Sequence, residues 1–319
     1  MSRGHLYTIE YRPQFSGHET FPLRYGWLKK AYDLVSESRD DPKNKSIFTD
    51  EGAIATLGVG KNMVSSIRFW AQACNIIEEN GPNGLLPTQL GDEIFGADGF
   101  DPFMENAATL WLIHWHLCST PERTTWYWAF NHFLAQSFER ELLVKDLMRL
   151  AGSREWPRVS ATTVKRDVEC FVRTYAARMP SDRRLHEEAL ESPLAELGLL
   201  KATAKKDGFR FVRGEQSTLG DGVFAYATAK FWEDFSPSSK SLSFEAMAHE
   251  PGSPGRVFCL DEQELARRMA DIEDYTNGAI MWSETAGLKQ LSRRRELDDG
   301  EARSFITNDF KRDNLRRAA

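Results

Sequence analysis

With 319 residues, 41% of them hydrophobic and 12% aromatic, the chain is long enough for two or three domains and amply supplied for packed cores. A formal charge of −6 and a pI near 5.8 exclude a protein that coats nucleic acid over its whole surface, so any such contact must be local. The longest apolar run, 107–118, is interrupted by His114 and His116 and falls short of the roughly 20 residues a bilayer requires. With no apolar signal core at the N-terminus and four cysteines far apart, a cytoplasmic protein with reduced, mostly buried thiols is expected.

Residues 15–30 are dense in aromatics, glycine and proline, and they also carry His18, Glu19 and Arg24. A turn is expected there, leading through Pro22 into a helix that ends near Ser36 and buries Leu23, Trp27, Tyr32 and Leu34. An exposed loop follows over 38–46.

Residues 50–75 have the grammar of a helix-turn-helix. A short helix carrying Ala53, Ile54 and Leu57 meets Gly58, and a second opens at Gly60-Lys61-Asn62. Val64, Ile67, Ala71 and Cys74 share one face of the second helix, whereas Lys61, Ser65, Arg68 and Gln72 form an outer polar stripe. Such a stripe can contact phosphates or base edges in a major groove, with Asn62 suited to adenine and Arg68 to guanine. A hairpin with its turn at 80–84 and a helix capped by Thr88, running to Phe95, give the unit a winged outline.

Further on, Asp101-Pro102 marks a helix start with Glu105 early in it, and 109–117 is apolar nearly all round, as in a buried helix. His114 and His116 lie about 200° apart on a helix, so they read as core residues and not as a ligand pair. A second unit repeats the outline: a helix over 139–150, a Ser160-capped helix burying Val164, Val168, Phe171 and Tyr175, and outward Thr163, Lys165, Arg166 and Arg173. The charge-rich stretch 178–191 suits a linker or exposed helix; a hairpin near 199–212 and a helix over 221–235 follow.

A third unit begins after the Ser-Pro-Ser-Ser joint at 236–239, with a helix over 243–248, a rigid turn at 251–255, a helix over 261–275 and a strand over 278–282. The tail from Arg293 mixes charges and reads as partly mobile. The fold class expected is mainly α with small β hairpins, as tandem winged-helix or helix-turn-helix-like units divided 1–135, 136–235 and 236–319. Arg24 and Lys29 near the N-terminus, and Lys165 with Arg166, join the Lys61 stripe as candidate contacts to double-stranded DNA.

The segments Phe15-Ser-Gly-His-Glu-Thr-Phe-Pro-Leu-Arg-Tyr-Gly-Trp27, Leu57-Gly-Val-Gly-Lys-Asn-Met-Val64 and Ser66-Ile-Arg-Phe-Trp70 resemble the SspB-type proteins encoded beside DNA phosphorothioation genes. The resemblance covers most of the chain, including 88–91, Asp101-Pro102 with Glu105, and 253–256. It implies a defence-related DNA modification pathway, sulfur-transfer and ATPase partners, and a nicking activity on DNA. The residues themselves carry no decisive nuclease signature. A cation for such a step would be Mg2+ or Mn2+. By chemistry, the first candidates are His18 and Glu19 as the catalytic pair, with Asp101 or Glu105 adding an oxygen ligand. Two other readings stay open: a binding adaptor that recruits the sulfur-transfer enzymes, and a transcriptional regulator, which would call for a two-fold dimer.

Overall fold

The computed structural model describes residues 4–39, 44–50, 52–81, 84–176, 192–205, 207–285 and 287–311, and helices dominate them. The first, α1 (Trp27–Glu37), turns Trp27, Leu28, Ala31, Tyr32, Leu34 and Val35 inward. Gly26 adopts φ 76°, a left-handed value, so helical geometry starts at Trp27 and not near Pro22. Next come α2 (Gly52–Leu57) and α3 (Lys61–Ala73), joined through Gly58 at φ 66°, and α1 packs against α3. A two-stranded antiparallel hairpin of β1 (Ile77–Glu79) and β2 (Leu85–Pro87) follows, with Ile77 opposite Pro87. Thr88 then caps α4 (Gln89–Phe95), its hydroxyl accepting the Gly91 N–H at 3.0 Å.

Two helices, α5 (Ala107–Cys118) and α6 (Thr124–Asn131), are buried nearly all round, as an absence of apolar periodicity demands. Helix α5 starts later than Asp101-Pro102 because Asn106 is its cap; Asp101 folds the preceding loop instead.

In the middle of the chain, β3 (Ser137–Glu139) leads into α7 (Arg140–Ser153), and Ser160 caps α8 (Ala161–Tyr175). Strands β4 (Leu200–Ala202) and β5 (Gly208–Phe211) complete an antiparallel sheet of order β3-β5-β4, followed by α9 (Asp221–Phe235). The expected linker at 178–191 lies outside the described residues.

The last third holds β6 (Ser241–Ser243), α10 (Phe244–His249) and α11 (Pro254–Val257). The stretch 251–255, expected as a turn, contains the Ser253 cap of α11. The single helix expected over 261–275 is broken at Asp271 into α12 (Glu262–Ala270) and α13 (Ile272–Tyr275). Strands β7 (Ile280–Thr285) and β8 (Leu288–Arg293) pair antiparallel in a sheet of order β6-β8-β7, and α14 (Asp299–Ser304) follows.

Up to Lys311 the tail is packed in place. Phe305, Ile306 and Phe310 are buried, and the Asp309 carboxylate accepts the Gly222 and Val223 N–H groups at the start of α9. One apolar cluster runs from Leu6 to Phe310 and draws on all three thirds of the chain. Among the described residues no helix is long and apolar enough to cross a membrane.

Candidate nucleic-acid interface

Helix α3 is divided as its periodicity requires. Val64, Ile67, Ala71 and Cys74 are buried, whereas Lys61, Asn62 and Ser65 are exposed and Arg68 and Gln72 are half-buried. On α2, Ala53 and Leu57 are buried and Ile54 points outward at 42% exposure. Gly60 enters α3 extended and offers no side-chain cap, which leaves the first-turn N–H groups beside Lys61 and Asn62 without a side-chain acceptor. The side chains of Lys61 and Asn62 make no hydrogen bond or ion pair among the described residues. Arg68 differs: its Nη2 lies 3.0 Å from Glu79 Oε1 on β1, and Gln72 Nε2 donates to the same oxygen at 3.2 Å. The hairpin thus places a carboxylate against the stripe.

Helix α8 is built alike. Ser160 Oγ accepts the Thr163 N–H, Val164, Val168, Phe171 and Tyr175 are fully buried, and Lys165 and Arg166 are exposed with no side-chain partner among the described residues. Of the other basic candidates, Arg24 lies over the rings of Phe21 and Trp27 at 5.5 and 5.4 Å, and Lys29 pairs with Asp33 one turn on. Both cations of the N-terminal cluster therefore already face partners within the protein.

Between α3 and α8 runs residues 14–21, a strap bonded to both. Ser66 Oγ of α3 donates to the His18 carbonyl at 3.0 Å, and Trp70 Nε1 donates to the Phe21 carbonyl at 3.0 Å. From α8, Asp167 Oδ1 accepts the Ser16 N–H at 2.8 Å, and Arg173 Nη1 donates to the Thr20 carbonyl at 3.0 Å. The His18 ring is buried between the Phe69 and Trp126 rings. Its Nδ1 accepts the Thr20 N–H at 3.0 Å, so the ring proton sits on Nε2, which donates to Asp167 Oδ1 at 2.8 Å. Around it Ser16, Glu19 and Thr20 are exposed with φ of 73°, 47° and 66°, and Gly17 has φ 98° with its α-carbon against the Phe69 ring.

Of the acidic candidates, Asp101 is taken up by its own loop. Asp101 is buried and both its oxygens are engaged: Oδ1 accepts the Glu105 N–H at 2.9 Å, and Oδ2 accepts the Asn106 N–H at 2.9 Å and the Thr109 hydroxyl at 2.6 Å. Among the described residues no group of three or more His, Cys, Asp or Glu side chains is placed to hold a metal ion. His18, Glu19, Asp101 and Glu105 accordingly do not assemble into a coordination set, and the polar atoms of His18 and Asp101 face protein partners.

A family model described as protein of unknown function, DUF4007, matches residues 15–310, nearly the whole of this architecture. The chain belongs to the DUF4007 family. Two solved structures are similar to it, an SspB crystal structure and a magnesium-ion-bound SspB crystal structure. Each is 27% identical with a TM-score of 0.78, covering 95% of this chain and 89% of the other. No protein of curated function matches.

In this DUF4007 chain, sequence reading missed Asp167, Glu79 and Arg123. Asp167 occupies an inward position of α8, where helical periodicity alone expects an apolar residue; a carboxylate there was the available signal. Arg123 precedes α6, with its guanidinium 5.0 Å from the Phe69 ring centre and Nη1 donating to Gln14 Oε1. Burial lowers its pKa, partly offset by Glu122 and Asp167. Nothing in its local sequence marks it, because both neighbours come from distant segments.

Proposed function

We propose that this chain is the DNA-binding member of an SspB-type phosphorothioate modification system, and that it engages duplex DNA through the outward faces of α3 and α8. The observation that carries the reading is the exposed set Lys61, Asn62, Lys165 and Arg166, whose side chains have no partner among the described residues, on two helices bonded to one strap. The α2-turn-α3 pair with the hairpin behind it is read as a winged helix, in which α3 enters the major groove and the hairpin flanks it. With an overall negative charge, binding is confined to such local basic positions and is strongly salt-dependent.

Within such a system the chain is proposed to nick one strand so that sulfur can be incorporated, alongside sulfur-transfer and ATPase partners. The similarity to SspB supports this context, and a magnesium-bound SspB structure motivates testing Mg2+ and Mn2+. A second reading is an adaptor that binds DNA and recruits the sulfur-transfer enzymes without cutting. It is favoured by His18 and Asp101, whose polar atoms are committed to holding the fold. Purified protein incubated with supercoiled plasmid, with Mg2+, with Mn2+ or with chelator, separates the two. Conversion to open circles that chelator abolishes supports the nickase; retarded but uncut plasmid in every arm supports the adaptor. Plasmid neither retarded nor cut at low salt would remove DNA as the partner.

A further inference from the structure

We infer that Asp167, acting through His18 and the strap, is a positioning residue that makes α3 and α8 engage DNA as one unit, an inference that rests on the proposed DNA-binding function. The two helices come from different thirds of the chain, and the strap ties them together. It receives Ser66 and Trp70 from α3, and Asp167 and Arg173 from α8. Cys170 Sγ adds a contact to the Phe21 carbonyl at 3.3 Å. Every one of these bonds but the His18 ring contact goes to strap backbone, so together they set the path of the strap and with it the spacing of the two helices.

Asp167 is the central member. Its Oδ1 accepts both the Ser16 N–H and the His18 ring N–H, while its Oδ2 is buried with no hydrogen-bond partner among the described residues. A buried carboxylate oxygen without a partner is destabilising, so Asp167 is explained by what Oδ1 holds. The left-handed backbone at Ser16, Glu19 and Thr20 points the same way: residues kept at such angles need surroundings that over-determine them, and Asp167 with His18 supplies two of the bonds. Lys165 and Arg166 immediately precede Asp167 on α8, so the bond that seats the strap also fixes the helix turn that presents those cations.

The test is a double-mutant cycle on duplex DNA read by fluorescence anisotropy. In the wild-type background, K165A/R166A should weaken binding about tenfold and lower the slope of log affinity against log salt by about 2. D167A alone should weaken binding by a comparable factor, and adding K165A/R166A to it should cost less than about threefold more, because the α8 cations have already left the shared surface. D167N keeps an oxygen for both donors and should retain affinity within about threefold of wild type. A K165A/R166A penalty that is the same in the wild-type and D167A backgrounds would overturn the inference while leaving DNA binding intact. Wild-type protein that does not bind duplex at all would overturn both. Should D167A not fold, S66A, which cuts the strap's hydroxyl bond on the α3 side, runs through the same cycle with the same expected non-additivity.

Discussion

Removing Lys61 and Arg68 together tests the α3 surface most directly. Lys61 is exposed and its side chain has no partner among the described residues, so in a complex it gains a phosphate and gives up only water. Arg68 must leave Glu79, 3.0 Å away, but that pair is 31% and 65% exposed, and screening limits such a pair to about 0–1 kcal/mol. Two charge-assisted contacts of about 1.5–3 kcal/mol each, less that exchange, leave roughly 2–6 kcal/mol. K61A/R68A should therefore weaken duplex binding more than about tenfold in an anisotropy titration at constant salt. Glu79→Gln carries the opposite sign: it removes the competing charge beside Arg68 and should tighten binding by up to about fivefold. An affinity unchanged by K61A/R68A, in protein with a wild-type unfolding transition, would remove α3 as the reader. Weaker binding by E79Q would refute the view that Glu79 competes with DNA for Arg68.

Three further outcomes test the packing around this surface. Gly17→Ala would set a Cβ 2.7 Å from Phe69 Cδ2 at φ 98° and should lower stability to urea by about 1–3 kcal/mol, whereas Gly152→Ala, with open space in α7, should be neutral or stabilising by up to about 1 kcal/mol. His114 is fully buried, donates from Nε2 to the Val257 carbonyl and accepts the Tyr175 hydroxyl on Nδ1, and burial lowers its pKa from 6.5 to about 4. The folded state refuses a proton that the unfolded chain binds, so its contribution is fully present above pH 6.5 and is lost as pH falls toward 4, at about 1.4 kcal/mol per pH unit for this one group. Urea midpoints unchanged between pH 6.5 and 5 would contradict that. All four cysteines are buried, and burial pushes every thiol up, that of Cys259 to about 11, so a thiol reagent should find no fast-reacting group in native protein and four after denaturation.

What could be read from the chain itself was whatever is decided within one turn of a helix or one hairpin. Thr88 and Ser160 cap the helices expected of them, α9 occupies 221–235, and the inward faces of α3 and α8 carry the residues that recur at helical spacing. Pairing between distant segments was not legible: β3, only three residues long, is a strand because β5 seventy residues later lies beside it, with Phe138 opposite Phe209. The same limit governs the candidate site. His18 and Glu19 stood out as chemistry-bearing neighbours, but a histidine's role depends on what meets each ring nitrogen, and here one partner is the backbone two residues on while the other is Asp167 on α8. Likewise Asp101 looked like an available oxygen ligand until the N–H groups of Glu105 and Asn106 and the Thr109 hydroxyl closed around it. The outward placement of Lys61, Asn62, Lys165 and Arg166 was readable for the converse reason: on an amphipathic helix the outward face follows from where the apolar residues must go, and these four are exposed. Exposed residues can therefore be located from periodicity, whereas buried polar ones acquire a role only through partners far away in sequence, and the His18–Asp167 bond is a case of the second kind in this fold.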